Sequence, residues 1–153
     1  MTEDVYGVEM SPAEMAAFLE RHGHGVLSFG GDPPYALPMS FGYHVLNDRC
    51  VFQFLFNPES RKRDYVTTGD RVTLTAYEWT DPADWRSVVV EGRLSPIEGD
   101  SPAALDAASV FAPYETTVSL TVFERPVDEL DPAWYELAVE EMHGRQSPTA
   151  ETP

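Results

Sequence analysis

Apolar residues along this chain recur mostly at period two, and one helical stretch near the start interrupts the pattern. Ser11 to Arg21 opens with helix-start chemistry: Ser11 can cap, Pro12 suits the first helical position and Glu14 completes a capping box. Met15, Phe18 and Leu19 then share one face, and Gly23 and Gly25 end the run. Gly25 to Phe29 reads as a short strand, followed by a turn over Gly30-Gly31-Asp32-Pro33-Pro34. Tyr35 to Tyr43 is the next strand, with Pro38 inside it. Proline donates nothing to a ladder, so this run belongs at an edge or an irregularity. Leu46-Asn47-Asp48 predicts a hairpin turn into Arg49 to Phe56, and a short helix follows over Ser60 to Thr68. Strands are predicted at Arg71 to Trp79 and, after a loop at Thr80 to Asp84, at Trp85 to Leu94. Ser101 to Phe111 has a helical start. Thr117 to Phe123 alternates as a strand, and Trp134 to Val139 gives the last strand. Short strands at close spacing with few helices predict a mainly β fold, a small barrel with helices packed at its ends.

Length and composition fit this picture. A chain of 153 residues, 42% hydrophobic and 12% aromatic, can bury one sizeable core. Residues 1–145 are expected to form one domain, and the polar, proline-containing stretch 146–153 a disordered tail. No apolar run approaches the roughly 20 residues of a membrane helix. The start, MTEDVYGVEM, lacks a basic n-region, so no secretory signal is expected. Cys50 stands alone, which rules out an internal disulfide and is compatible with a cytoplasmic protein.

Charge narrows the partners. The formal net charge is -16, from 26 Asp+Glu against 10 Lys+Arg. Phosphate backbones and anionic membranes call for a basic face, so neither nucleic acid nor a membrane surface is expected as a partner. Lys62 is the single lysine, and arginine supplies the other cations. That balance points to adaptation to high salt, where carboxylates hold water and salt screens their repulsion; an ordinary acidic protein is the alternative.

Against this background the triplet Arg61-Lys62-Arg63 asks for a reason. Cations opening a short helix between two strands make a phosphate site; taken alone, the triplet reads equally as a solvated helix turn. Two other stretches converge with it. Pro38-Met39-Ser40 interrupts a strand and offers backbone N–H groups and a hydroxyl, and Trp85-Arg86-Ser87 adds an aromatic plane, a cation and a hydroxyl. A planar aromatic cofactor with a phosphate tail uses all three, with Ser60, Arg61 and Lys62 holding the phosphate. No activated nucleophile stands out among Ser28, Ser40, Ser87 and Ser119, so no catalytic residue is assigned. His22 and His24 lack a carboxylate or cysteine set and read as surface histidines, while His44 and His143 stand alone. No metal site is predicted.

Five pieces in order carry a family resemblance. They are Phe18 to Phe29, PYALPMSFGY (34–43), CVFQFLF (50–56), SRKRDYVTTGDRVTLTAY (60–77) and WRSVVVEGRL (85–94). Together they resemble FMN-binding split-barrel proteins of the pyridoxamine 5′-phosphate oxidase-like superfamily, the short members rather than the vitamin B6 oxidases. The family pattern in the fourth piece is Gly-Arg-Lys, a short helix, Asn-Pro-Arg-Val and a strand. Here it reads Ser60-Arg61-Lys62 and Gly69-Asp70-Arg71-Val72, in the same register.

The resemblance implies a six-stranded Greek-key split barrel that forms a homodimer, with FMN in a groove between the subunits. It implies that Arg61 and Lys62 hold the phosphate and that Pro38, Met39 and Ser40 lie along the isoalloxazine ring. Phe54, Leu55 and Phe56 would form the strand beside the ring, with Trp85, Arg86 and Ser87 closing the site. Two positions depart from the pattern. Several relatives carry a histidine where Phe54 stands, and often a glycine where Ser60 stands. The function implied is an FMN-dependent oxidoreductase acting on a small-molecule substrate or electron donor, with a deazaflavin left open. The alternatives are a non-catalytic flavin or haem carrier and a plain structural dimer. Oxidation of a pyridoxamine phosphate is disfavoured, since no second phosphate cluster is visible.

Overall fold

The computed structural model describes residues 7–31, 33–46, 48–56, 71–97 and 131–148, leaving aside the side chains at 55–56 and 131–133. The elements are β1 (Val8–Glu9), α1 (Pro12–His22), β2 (His24–Phe29), β3 (Tyr35–Ser40), β4 (Gly42–His44), β5 (Arg49–Phe56), β6 (Arg71–Asp81), β7 (Asp84–Ile97) and β8 (Asp131–Gln146). All pairings are antiparallel, in the order β3-β2-β6-β7-β8-β5-β4, with β1 added to β8.

That order dictates the shape. The path begins at β3 and ends at β4, yet only Phe41 separates these strands in the chain. Two residues of backbone span at most about 7 Å, so the two edges of the sheet must meet. The sheet therefore rolls into a split barrel. Among the described residues, counted without the two-residue β1 and with β3 and β4 as one strand bent at Phe41, it has six strands. Pro38 lies on β3, at the edge of the sheet path, where a strand tolerates proline.

The inward faces follow the sequence alternation. Leu27, Leu74, Val88, Val90, Phe52, Phe54 and Leu137 are fully buried, joined by Phe18 and Leu19 from α1. Each such side chain contributes about 1.5–3 kcal/mol of transfer free energy. The helix starts as predicted: the Glu14 N–H donates to the Ser11 hydroxyl at 3.1 Å, and the Ser11 N–H donates to Glu14 Oε1 at 2.7 Å. It ends at Gly23, whose φ of 83° is left-handed and suits glycine. The Phe41 N–H then donates to the Gly23 carbonyl at 2.9 Å, tying the helix end to the corner between β3 and β4.

A bulge between Glu91 and Gly92 bends β7 against β8. Gly92 allows the bend, because a Cβ there would run into the Ala138 carbonyl oxygen.

Several expectations need adjustment. The Tyr35 to Tyr43 run breaks at Phe41, where the edge turns the corner. The loop at Thr80 to Asp84 is a tight turn, closed by the Ala83 N–H donating to Asp81 Oδ1 at 2.7 Å. The last strand is longer than expected, 16 residues from Asp131 through Gln146, and Ser147 is buried. Pairing of Val88 to Gly144 and Ser87 to Arg145 holds this end in place. The predicted helices Ser60 to Thr68 and Ser101 to Phe111 and the strand Thr117 to Phe123 lie outside the described residues.

Candidate functional site

The strand register places the predicted site residues. On the outside of the barrel, Pro38, Val26, Thr75, Val89 and His143 lie opposite one another in a single row across five strands. Neighbouring strands stand about 4.8 Å apart, so Pro38 and Val89 are roughly 14 Å apart along this row. Beside the row, Tyr77 pairs with Ser87 and Trp79 with Trp85. Tyr77 and Trp79 are each 60% exposed and Val26 37%. The outer face of β2, β3, β6 and β7 thus presents an apolar, aromatic surface.

Alternation separates residues that are adjacent in sequence. Met39 is buried opposite Gly25, whereas Pro38 is exposed; Ser40, opposite His24, is also buried. Trp85 and Ser87 share a face, and Arg86 points to the other one. Trp85-Arg86-Ser87 therefore does not converge on one point. Arg86 Nη1 meets Glu78 Oε1 at 2.7 Å, and Arg21 Nη2 reaches the same oxygen at 2.9 Å. The hydrogen bond from Arg21, with that from Arg86, holds the Glu78 carboxyl at about 2, well below its ordinary value. This bridge ties α1 to the sheet beside a cleft of about 290 Å³ lined by Met10, Ala17, Phe18, Arg21, Arg86 and Gln146.

Phe54 is fully buried, edge-on to Tyr135 with ring centroids 5.4 Å apart, so it is part of the core and not an exposed aromatic. Leu55 and Phe56 continue β5 opposite Pro132 and Asp131. Ser60, Arg61 and Lys62 lie outside the described residues.

Burial pushes the Cys50 thiol up, out of the nucleophile range. Tyr43 is likewise raised by burial and by its hydrogen bond to Asp48 Oδ1 at 2.6 Å. His22, expected on the surface, is half-buried and stacked between Phe18 and His24, at 4.7 and 4.4 Å. Burial first, and then the neighbouring His24, lower its pKa, so neutral imidazole is favoured there. Sequence reasoning passed over Glu78, one carboxylate among many, and the only signal for it is the hairpin register that sets it opposite Arg86.

The model of the family described as pyridoxamine 5′-phosphate oxidase matches residues 11–146. None of the curated proteins matches the chain. Among solved structures, an FAD-binding protein from Mesorhizobium loti is similar at a TM-score of 0.71 and 19% identity, over 94% of this chain and 99% of that one. The FAD-binding protein from Mycobacterium smegmatis aligns at a TM-score of 0.64 and 16% identity, over 92% of this chain and 98% of that one. A protein from the same organism described as binding FAD and haem aligns at 0.63 and 16%, over 90% of this chain and 71% of that one. At these identities the likeness is one of fold.

Proposed function

Because the chain belongs to the pyridoxamine 5′-phosphate oxidase family, we propose that it binds a flavin on the outer face of β2, β3, β6 and β7 and uses it to oxidise or reduce a small molecule. The family match across residues 11–146 carries the proposal, and the exposed aromatics of that face support it. A bound flavin supplies the electron transfer. The chain supplies position and polarity. Pro38 and Val26 offer a flat apolar bed, and Tyr77 and Trp79 offer planes for an aromatic ring. The Ser87 hydroxyl lies on the same face as Trp85 and can hydrogen-bond a ring heteroatom. Arg61 and Lys62 are assigned to the phosphate.

A sheet face covers one side of a planar ligand, whereas binding pockets enclose about 70–90% of ligand surface. A second wall is therefore needed, and a C2 partner is the commonest way to provide one. The proposed assembly is a homodimer with the flavin between the subunits. FMN is the flavin that the family resemblance implies, and FAD is the ligand named for fold relatives, so both belong in the assay. A second proposal, a non-catalytic flavin or haem carrier, is favoured by the Mycobacterium smegmatis protein described as binding both FAD and haem.

Titration with FMN, FAD, riboflavin and haemin tests these proposals. The expected outcome is a bound-flavin spectrum, with bleaching by NADH or NADPH and repeated reoxidation. Replacing Arg61 or Lys62 by Ala removes a charge-assisted contact of about 1.5–3 kcal/mol, or one to two decades in FMN affinity, and leaves riboflavin binding unchanged. Lack of flavin binding at tens of micromolar overturns the flavin site. Binding without turnover by any donor favours the carrier.

A further inference from the structure

We propose a divalent transition-metal site on the outside of β7 and β8, formed by Glu91, Glu141 and His143. One ligand atom from each lies within 4.8 Å of the others. Glu91 and Glu141 stand directly opposite across the two strands, and His143 follows Glu141 by two residues on the same face. Like charges placed directly opposite destabilise a strand pair unless something compensates them. Arg71 compensates in part: its Nη2 is 3.6 Å from Glu91 Oε1, but it lies closer, 3.3 Å, to Glu140 Oε1. An ion bound at the triad leaves Arg71 its shorter partner.

The spacing suits a metal. Tetrahedral ligands about 2 Å from zinc are roughly 3.3 Å apart. His143 Nε2 and Glu141 Oε1 are already 3.3 Å apart. Only Glu91 must close in, from at most 4.8 Å, and its half-exposed side chain has the freedom to do so. The donor set selects the class of ion. One imidazole with two carboxylates fits zinc and its first-row neighbours, while magnesium and calcium prefer all-oxygen shells. Two carboxylates neutralise the ion, and three protein ligands leave a fourth position to water. A bulge between Glu91 and Gly92 lies beside the triad. The proposal does not rest on the flavin reading; His143 stands opposite Val89, at the β8 end of the outer row described above.

Calorimetric titration of the chelator-treated chain with zinc chloride, in neutral buffer with excess magnesium, tests the site. One zinc per chain is expected. His143→Gln and Glu91→Gln should each weaken binding by about 100-fold, since changes to groups outside the ligand shell already cost about 10–100-fold. Asp84→Asn, an exposed carboxylate at the far end of β7, should leave it unchanged. Cobalt added to the unmodified chain should broaden the His143 ring signals before those of His22, His24 and His44. No saturable zinc binding, binding that ignores His143→Gln, or broadening that spares His143 overturns the proposal.

Discussion

Replacing Glu78 by Gln should loosen α1 from the barrel and remove a pH dependence with a defined sign. Glu78 Oε1 is shared by Arg21 Nη2 at 2.9 Å and Arg86 Nη1 at 2.7 Å, joining the last turn of the helix to β7. Its carboxyl is held at about 2 against an ordinary 4.5, the hydrogen bond from Arg21 being the largest cause. A fall of that size corresponds to an upper bound of about 3.4 kcal/mol. The Arg21 and Glu78 side chains are 54% and 33% exposed, so solvent screening reduces this to about 1 kcal/mol. The folded-state pKa is depressed, so the contribution is fully present above 4.5 and is lost as pH falls toward about 2. Urea melts of the parent and Glu78→Gln should differ by about 1 kcal/mol at neutral pH. The gap should narrow progressively below pH 4.5 and shrink in molar salt. A gap that stays constant from neutral pH down to the acid limit would show that Glu78 acts through packing and would refute the charge assignment.

Gly92→Ala should destabilise the chain by about 1–3 kcal/mol in the same melts, because its Cβ meets the Ala138 carbonyl and lies 2.8 Å from Leu137 Cδ2. Light scattering should return about twice the 17.1 kDa chain mass; a monomer at micromolar concentration removes the partner wall from the flavin site. The melting temperature should rise from dilute buffer to molar potassium chloride, as expected for a net charge of -16, and a flat response counts against halophilic adaptation.

Local chemistry made part of this fold legible. The helix over Pro12–His22 is written in its own cap, Ser11 and Glu14, and needs no distant partner. The strand Arg71–Asp81 is legible because Val72, Leu74 and Ala76 alternate with partly exposed threonines. The strand Val8–Glu9 was not, since two residues carry no period and it exists by pairing with Gln146 and Arg145. The end of β8 reads as polar because its outer face carries Glu141 and His143, and only its register against Val89 and Glu91 reveals a strand. The same limit applies to the site. Arg86 sits beside Trp85 and Ser87 in sequence, yet alternation turns it toward Glu78. Sequence adjacency in a strand means opposite faces, so a triplet there is evidence for at most two convergent side chains.

The distribution of cations gives the basic triplet more weight than sequence alone does. Among the described residues, Arg21 and Arg86 are bound to Glu78, Arg49 to Glu136, and Arg71 to Glu91 and Glu140. Arg93 lies 4.0 Å from Glu140, and Arg145 donates to the Gly7 carbonyl at 2.9 Å. Each arginine whose position is described is thus committed to an oxygen of the protein. In a chain with 26 acidic side chains, this is what electrostatics favours, because an uncommitted cation finds a carboxylate nearby. In a chain of net charge -16, a phosphate is favoured where cations outnumber carboxylates locally. The remaining four cations are Arg61, Lys62, Arg63 and Arg125, and three of them are consecutive. Clustered cations raise the local potential and favour an anion more than a lone arginine among glutamates does. The proposal that the flavin's phosphate end lies at Arg61 and Lys62 rests on this clustering in the sequence, and the alanine substitutions test it.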